Sequence, residues 1–290
     1  MITQERDFAI LKAIARYYVL NSRQIQRLLF PVDTSGRVTR RRLQLLFAES
    51  LINKAQMQFA HPLSGSLGPV YYPSQKGLEL LADMFPKEQY CHISTKPPVA
   101  HHVWHWLAVA ETHMTFDRAL NAQTAVATDG WINEYDELVN ENAPPEKKYR
   151  LYTLIRENPR LVCAPDAGFM LSTKGHSKVF YLEQDRATSG TKQVASSKTP
   201  GYAAMAERLL HRRHFPTATV DRFTVLMVTP TSGRRDSLRK AIREKPGAEL
   251  WRFATVEDLT DWAVLHHKIW YPADDSPASS LIKGESHDAP

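Results

Sequence analysis

The sequence is poor in cysteine and has no long apolar run, and each absence excludes a class of protein. Its 290 residues include two cysteines, Cys91 and Cys163. Neither cysteine lies in a CxxC or Cys/His spacing, so a disulfide framework or a structural zinc site is not indicated. No stretch approaches the roughly 18 consecutive apolar residues of a membrane helix, and the start MITQERDF lacks the pattern of a signal peptide. We therefore expect a cytoplasmic protein with no membrane partner.

Several enzyme signatures are also missing from the sequence. GxGxxG, GxxxxGK[ST] and GxSxG do not occur, so nucleotide hydrolysis and serine-based acyl transfer have no support. Lys and Arg number 37 against 31 Asp and Glu, a net charge of +6. Such a modest excess of positive charge matters only where the charges cluster, and they cluster in the first fifty residues.

The first ninety residues predict three helices followed by two strands. ERDFAILKAIARYYVL repeats apolar residues at helical spacing, and SRQIQRLLF predicts a second helix that Asn21 or Ser22 caps and Pro31 ends. RVTRRRLQLLFA predicts a third. LINKAQMQF and GPVYYPS then predict two strands, joined by the polar segment HPLSGSLG. This order is that of a winged helix-turn-helix domain, which we place at residues 1–90.

The third helix has two different faces in this prediction. Thr34 and Ser35 are its candidate caps, and Val38, Leu45 and Leu46 form its inner face at about 100° per residue. Basic and polar side chains then lie on the opposite face. Arg42 projects close to the inner face and is expected to lay its stem across the core, so it is not counted as a DNA contact.

The polar face suits double-stranded DNA, because helix-turn-helix folds place this helix in the major groove. Arginine can contact guanine through two hydrogen bonds or a phosphate through one. The loop from His61 to Gly68 is expected to reach the backbone or the minor groove. The alternative for RVTRRR is a solvated basic face. The predicted DNA-contacting residues are Arg37, Thr39, Arg40, Arg41 and Gln44.

A helix rich in histidine and tryptophan follows the linker predicted at residues 91–100. His101, His102 and His105 have the spacing of metal ligands, but the pattern is not HExxH. Capping and packing beside Trp104 and Trp106 is the favoured interpretation of these histidines. The helix HHVWHWLAVAETHMTFDRAL opens a second domain that we place at residues 101–270.

The second domain predicts a mixed sheet with helices on its faces, and the whole chain is therefore α+β. LVCAPDAGFML and KGHSKVFYLEQDRAT form a predicted hairpin, and DRFTVLMVTP is a third strand followed by the helix SGRRDSLRKAIREKP. WRFATVEDLTDW predicts a strand and a short helix capped through Thr255 and Asp258. Residues 271–290 are rich in Pro, Ser, Ala and Asp and are predicted to be disordered.

Motifs in both domains resemble the plasmid replication-relaxation family. RDFAILKAIARYYVLNSRQIQRLLFP, RVTRRRLQLL, ESLI and VYYPSQKGLELL resemble its winged-helix head. PDAGFML, VFYLEQDRAT, a lysine and PGY resemble its second-domain signature, which is also similar to the core of PD-(D/E)xK nucleases. In those enzymes an Asp and a Glu on adjacent strands hold a divalent ion, and a lysine two residues after the Glu orients the attacking water.

The nuclease resemblance implies Asp166 and Glu183 as catalytic residues and as Mg²⁺ ligands, with Asp185 as a third ligand. Hard oxygen ligands would hold Mg²⁺, which lowers the pKa of bound water. The lysine position holds Asp185 instead, leaving Lys198 or Lys192 as a migrated substitute and Arg186 as another nearby cation.

Three interpretations of these carboxylates remain open. They belong to an active nuclease, to an inactive relative that keeps the fold to bind DNA or a partner, or to a structural cluster. In the structural cluster, Asp185 pairs with Arg186 or a nearby lysine, and Glu183 satisfies a backbone group.

The function that the sequence favours is sequence-specific binding of double-stranded DNA by a protein of a mobile genetic element, in plasmid replication or mobilisation. The alternatives are a Mg²⁺-dependent endonuclease targeted by its winged helix and a transcriptional repressor. A homodimer on paired half-sites is expected, with a replication or transfer protein as a possible partner. No cofactor is expected, except Mg²⁺ in the case of a nuclease.

Overall fold

The chain is mixed α+β, as its sequence predicts, and consists of two compact units. The computed structural model describes residues 5–56, 60–61, 65–66, 68–88, 90, 93–138 and 143–282. The units are Met1–Glu111 and Thr112–Pro290. Within the described ranges, every helix is too short or too polar to cross a lipid bilayer.

The boundary between the units falls inside a 22-residue helix, Ala100–Asn121. The prediction placed the boundary at the 91–100 linker. The first half of the helix instead belongs with the amino-terminal unit, where Trp106 packs edge-on against Tyr18 with 5.4 Å between ring centroids. Gln24 also donates a 2.9 Å hydrogen bond to the Leu107 carbonyl. These contacts complete the core of the first unit, which the sequence periodicity alone did not reveal.

The first unit contains the three predicted helices and a small sheet. Its elements are α1 Glu5–Tyr17, β1 Leu20–Asn21, α2 Ser22–Leu29, α3 Arg37–Ala48, β2 Ile52–Ala55, β3 Ala60–His61, β4 Gly65–Ser66, β5 Val70–Pro73, α4 Gln75–Met84 and the first half of α5 Ala100–Asn121. The strands β1, β5 and β2 form an antiparallel sheet in that order, and β3 pairs with β4. Residues 62–64 and 67 of the predicted loop from His61 to Gly68 lie outside the described residues, as does Cys91.

Side-chain capping fixes the start of α2. Asn21 accepts a 2.9 Å hydrogen bond from the backbone N–H of Gln24, and the Gln24 side chain accepts one of 3.2 Å from the backbone N–H of Asn21. This reciprocal pair satisfies two amide donors that would otherwise lack partners at the helix end. Of the two predicted caps, Asn21 is the one used.

The start of α3 differs from the prediction. Its N-cap is Gly36, with φ of +66°, rather than Thr34 or Ser35. A carboxylate oxygen of Asp33 accepts 2.8 Å hydrogen bonds from both the backbone N–H and the hydroxyl of Thr39. Asp33 therefore takes the capping role from the turn before the helix.

The inner face of α3 is also rotated relative to the prediction. Thr39, Leu43 and Leu46 are buried at i, i+4 and i+7, whereas Val38 and Leu45 are 43% and 40% exposed. The hydrogen bonds from Thr39 to Asp33 turn this polar residue inward, and the rest of the face follows from helical geometry.

The second unit is built on a six-stranded mixed sheet. Its described elements after α5 are β6 Ala127–Asn133, α6 Pro145–Lys148, β7 Thr153–Arg156, β8 Leu161–Cys163, β9 Ala167–Thr173, β10 His176–Gln184, α7 Thr191–Glu207, α8 His211–His214, β11 Thr224–Thr229, α9 Ser232–Ile242, a 3₁₀ turn Ala248–Leu250, β12 Trp251–Thr255, α10 Ala263–His266 and β13 Tyr271–Pro272. The strand order is β13-β12-β11-β10-β9-β6. A separate ladder joins β7 to β8.

The predicted hairpin is present as β9 and β10. Lys174 and Gly175 form its turn, with φ of 47° and 81°, the pair of positive values that a two-residue type I′ turn requires. The predicted third strand, β11, runs parallel to β10. Because β10 is followed by α7 and then by β11, the chain crosses over one face of the sheet between these parallel strands.

Two predictions near the carboxyl terminus are corrected. Thr255 and Asp258 exchange the expected hydrogen bonds, but residues 256–259 form a turn and the helix α10 begins only at Ala263. The segment predicted to be disordered begins with β13, which pairs with β12. Ser279 then exchanges backbone hydrogen bonds with Trp270, so local pairing orders these residues despite their polar composition. Residues 283–290 lie outside the described residues.

The helix α7, which the sequence analysis did not predict, packs closely against β8 through Gly201. A Cβ atom added at Gly201 would lie 2.5 Å from the carbonyl oxygen of Val162. Next to this glycine, Tyr202 is fully buried and packs edge-on against Trp251, with 5.1 Å between ring centroids. The absence of a side chain at residue 201 therefore sets how close the helix lies to the strands.

Replacing Gly201 by alanine is expected to lower the free energy of unfolding by about 1–3 kcal/mol, because the new methyl group overpacks a backbone contact. Urea unfolding of the full chain, followed by tryptophan fluorescence, measures this change. The matched control is Gly233→Ala in α9, where an added Cβ meets no described atom within 4 Å. That control is expected to stabilise by about 0.5–1 kcal/mol. An unchanged urea midpoint in Gly201→Ala would contradict the packing argument.

Candidate nucleic-acid interface and carboxylate site

The basic face of α3 is exposed. Arg37, Arg40, Arg41 and Gln44 all lie on the solvent side of the helix. Among the residues that the structure describes, none of these three arginines has an acidic partner. Three uncompensated guanidinium groups on one helical face form a local positive surface, which attracts polyanions. Four of the five residues predicted to contact DNA are therefore solvent-exposed.

Thr39, the fifth predicted contact, is not part of that face. It is 1% exposed, and its hydroxyl donates to Asp33. A buried side chain whose donor is already used does not reach a DNA groove, so Thr39 is removed from the set of candidates. The prediction failed here because the Asp33 cap turns this residue toward the core.

The orientation of α3 is fixed by a buried ion pair with α1. The Nε atom of Arg42 donates a 2.9 Å hydrogen bond to Asp7, and a second guanidinium nitrogen bonds to the other carboxylate oxygen. Asp7 is 1% exposed. Arg42 is therefore a structural residue, as expected, and its bidentate pairing holds the helix that carries the exposed arginines.

The second candidate site lies where β9 and β10 meet. Asp166 directly precedes β9, and Glu183 lies near the end of β10. The antiparallel register places Ala167 opposite Leu182. Asp166 precedes Ala167 and Glu183 follows Leu182, so the two acidic residues lie at the same end of the strand pair. Both carboxylates are buried, at 8% and 3% exposure. The adjacent-strand placement that the nuclease resemblance implies is therefore present.

Lys198 from α7 completes this cluster. Its ammonium nitrogen lies 2.6 Å from Oε2 of Glu183 and 3.8 Å from Oδ1 of Asp166. Of the two lysines considered as substitutes for the missing motif lysine, Lys198 is the one brought to the carboxylates, whereas Lys192 is exposed in the first turn of α7. Asp166, Glu183 and Lys198 together are called the carboxylate site below.

Two further hydrogen bonds hold the carboxylates of this site. The hydroxyl of Tyr202 donates to Oε1 of Glu183 at 2.6 Å, and the backbone N–H of Gln184 donates to Oδ2 of Asp166, also at 2.6 Å. Tyr202 is the tyrosine of the PGY motif. Its contact with Glu183 gives a physical reason for a tyrosine at that place in the pattern, since a buried carboxylate needs donors on both oxygens.

Sequence reasoning missed Glu134, which follows β6. A carboxylate oxygen of Glu134 lies within 4.8 Å of a carboxylate oxygen of Asp166. The backbone N–H of Glu134 also donates a 3.0 Å hydrogen bond to the carbonyl of Asp166. The signal available in the sequence was the acidic run NEYDE directly after a strand. Carboxylate oxygens of this kind are ligands that Mg²⁺ accepts, so the donor types at the site fit that ion.

Asp185, the third predicted metal ligand, is held elsewhere. Two oxygens of Asp185 accept 2.8 Å hydrogen bonds from Arg234 in α9, and the side chain is 7% exposed. Asp185 lies one residue beyond the end of β10, and its backbone N–H still donates a 2.9 Å hydrogen bond to the carbonyl of Val228. The structural-cluster interpretation paired Asp185 with Arg186 or a nearby lysine, whereas its partner is Arg234, almost fifty positions later.

Burial and charge together set the protonation of the carboxylate site. Burial raises the pKa of Glu183 to about 7, with Asp166 adding to the rise and Lys198 opposing it. Burial lowers the pKa of Lys198, but the negative charges of Glu183 and Asp166 outweigh this effect and leave that pKa above its ordinary value. The lysine therefore stays charged at neutral pH, while Glu183 titrates in that range.

Removing the lysine should make stability more dependent on pH. A raised pKa means that folded Glu183 retains a proton that the unfolded chain releases, so its contribution to stability falls as pH rises from about 4.5 to about 7. Without the cation in Lys198→Met the pKa rises further. We expect a loss of up to about 3 kcal/mol at pH 8 and a smaller loss at pH 5, allowing for the partial exposure of the lysine.

Urea unfolding at the two pH values measures this difference. Lys192→Met is the matched control, because it removes an exposed lysine from the same helix and should change stability little at either pH. Equal losses in Lys198→Met at pH 5 and pH 8 would show that the ion pair with Glu183 does not contribute to folding.

Comparison with known proteins identifies the family of this chain. No curated protein and no solved structure matches it. A family model described as replication-relaxation matches residues 11–219. That range covers more than half of the chain and includes both the exposed face of α3 and the carboxylate site. The chain therefore belongs to the replication-relaxation family.

Proposed function

We propose that this chain is a sequence-specific double-stranded DNA-binding protein of a mobile genetic element, acting in plasmid replication or mobilisation. The observation that carries the proposal is the exposed basic face of α3, whose arginines have no acidic partner among the described residues. Family membership supports the replication or mobilisation role. The first unit reads the DNA, and the second provides dimerisation, a further DNA contact or a surface for a replication or transfer protein.

The arrangement of the first unit supports the assignment of α3 as a recognition helix. The elements α1, β1, α2, α3, β2 and β5 follow the order of a winged helix, in which a short strand between the first two helices joins the two strands of the wing. In helix-turn-helix domains the helix in this position enters the major groove and contacts base edges near its amino terminus. Arg37, Arg40, Arg41 and Gln44 lie along that side of α3.

The chemistry of these side chains divides the binding energy into two parts. An arginine that contacts two acceptors of guanine contributes sequence preference, and one that contacts a phosphate contributes affinity that falls with salt. Gln44 can pair with adenine in the same groove. The proposal therefore predicts both a preferred sequence and a steep dependence of affinity on salt concentration.

Replacing Arg40 and Arg41 together by alanine is expected to weaken DNA binding by at least tenfold, because each base-contacting arginine is worth about 1–3 kcal/mol. Removing an arginine that binds a phosphate should reduce the slope of log affinity against log salt by about one. Fluorescence anisotropy with labelled duplexes, at several salt concentrations, measures both quantities.

The matched control is Lys240→Ala with Lys245→Ala, which removes the same charge from exposed positions of the second unit. Wild-type affinity in the Arg40 and Arg41 variant would reject α3 as the recognition helix. The position of the preferred site separates the roles, since an origin supports replication or transfer and the chain's own promoter supports a repressor.

A second candidate function, metal-dependent cleavage of DNA, is favoured by the carboxylate site. Asp166, Glu183 and Glu134 would hold Mg²⁺, which when bound supplies a Lewis acid and lowers the pKa of a water ligand. Lys198 places a positive charge beside both Asp166 and Glu183, where it would attract a phosphate oxygen. Tyr202 fixes the orientation of Glu183 through its hydrogen bond to Oε1.

Cleavage under this second function should be lost in Asp166→Asn and should rise with pH. Glu183 must be ionised to hold a cation, and burial raises its pKa to about 7. Activity and metal affinity are therefore expected to increase about tenfold from pH 6 to pH 8. Supercoiled DNA incubated with Mg²⁺ or Mn²⁺, or with a chelator, and read on a gel for nicking measures this.

Asp185→Asn is the informative comparison in the same assay. Asp185 is paired with Arg234, so this variant should retain any cleavage if only Asp166, Glu183 and Glu134 hold the ion. Intact DNA under all metal conditions, with a mobility shift, would reject the second function and leave the DNA-binding proposal in place.

A further inference from the structure

An apolar edge borders the basic face of α3. Val38 is 43% exposed and Leu45 is 40% exposed, and with Arg41 they form one row along the helix at i, i+3 and i+7. In the turn before the helix, Val32 is 92% exposed. Apolar side chains at these positions add nothing to the inner face, which Thr39, Leu43 and Leu46 already fill.

The two ends of this edge differ in what they can reach. Val38 is the second residue of α3, beside Arg37 and one turn before Arg41, whereas Leu45 lies in the last turn. Residues in the first turns of a recognition helix are those that reach base edges. Val38 is therefore the apolar side chain placed to contact a base.

A shallow groove next to the amino terminus of α3 extends this surface. Arg6, Pro31, Val32 and Val38 contribute to its lining. Leu29 and Phe30 also line the groove, together with Asp33, Thr34 and Ser35. The Asp33 carboxylate accepts hydrogen bonds from Thr39, and positive charge comes from Arg6 in the groove and from Arg37 and Arg41 on the neighbouring helix. Exposed valines beside these arginines complement a small apolar group carried on a polyanion.

The major groove of DNA presents one such group. Thymine carries a C5-methyl group there, and apolar side chains recognise thymine through it. The neighbouring phosphates and guanine acceptors match the arginines. A protein partner with an acidic border would match the charges less specifically, and the test below includes that outcome.

We infer that Val38, supported by Val32, recognises the methyl group of a thymine next to the base or phosphate contacted by Arg37 and Arg41. This inference rests on the proposed DNA-binding function and names one element of its sequence preference. It also predicts one position of the preferred site at which the protein binds thymine more tightly than cytosine or uracil, because those bases lack the methyl group.

The test compares thymine with deoxyuridine at single positions. Full-length protein first selects a site from a random duplex library, and each thymine of that site is then replaced by deoxyuridine in separate duplexes. One or two positions should bind about fourfold more weakly, the change expected for a methyl group worth about 0.8 kcal/mol. Val38→Ala should bind the thymine and deoxyuridine forms of those positions equally.

Leu45→Ala is the matched control, because it removes an apolar side chain of similar exposure from the far end of the same row. It should keep the fourfold discrimination. Urea midpoints and sedimentation of each variant confirm that the fold and the oligomeric state are unchanged.

Four results would overturn the inference. Equal binding of all thymine and deoxyuridine duplexes by the wild type rejects methyl recognition without rejecting DNA binding. Discrimination retained in Val38→Ala assigns the contact to another residue, and a changed oligomeric state in Val38→Ala assigns the apolar edge to a protein interface. Enrichment of no sequence from the library overturns the proposed function and this inference together.

Discussion

The organisation of the second unit depends on keeping a buried carboxylate, Glu183, supplied with hydrogen-bond donors and positive charge. Lys198 and Tyr202 provide them from a single helix, four residues apart and therefore on the same side of α7. This helix must lie close to the strands for both contacts to form, and Gly201 permits that approach. Packing and electrostatics are thus coupled, since displacing the helix would leave a negative charge buried without a partner.

The outline of the first unit could be predicted because helical periodicity, a capping residue and a polar hairpin loop are local signals. The rotation of α3 could not, because it depends on Asp33, which lies outside the helix and draws Thr39 inward. A helical wheel drawn from RVTRRRLQLLFA alone gives Val38 and Leu45 the same weight as Leu46. The true inner face is distinguished only by a hydrogen bond between a turn and the helix that follows it.

The carboxylate site was predictable to a similar extent. Asp166 and Glu183 were identified by their motif, and Lys198 was one of two lysines considered. The choice between the lysines required the position of α7. This helix was not predicted, because Pro200 and several Ser and Thr residues have low helix propensity. The run NEYDE was a local signal for Glu134, but the proximity of Glu134 to Asp166 depends on the pairing of β6 with β9. The pair of Asp185 and Arg234 joins positions distant in sequence, which no local pattern encodes.

The pairing of β13 with β12 has a consequence for how the sheet meets solvent. The outer side of β12 would otherwise present free backbone N–H and C=O groups, the feature that allows sheets of separate molecules to join edge to edge. Tyr271 and Pro272 occupy that side, and proline is a residue that cannot donate to a further strand. The polar segment after residue 270, whose composition suggested disorder, therefore covers the β12 side of the sheet against pairing with another strand.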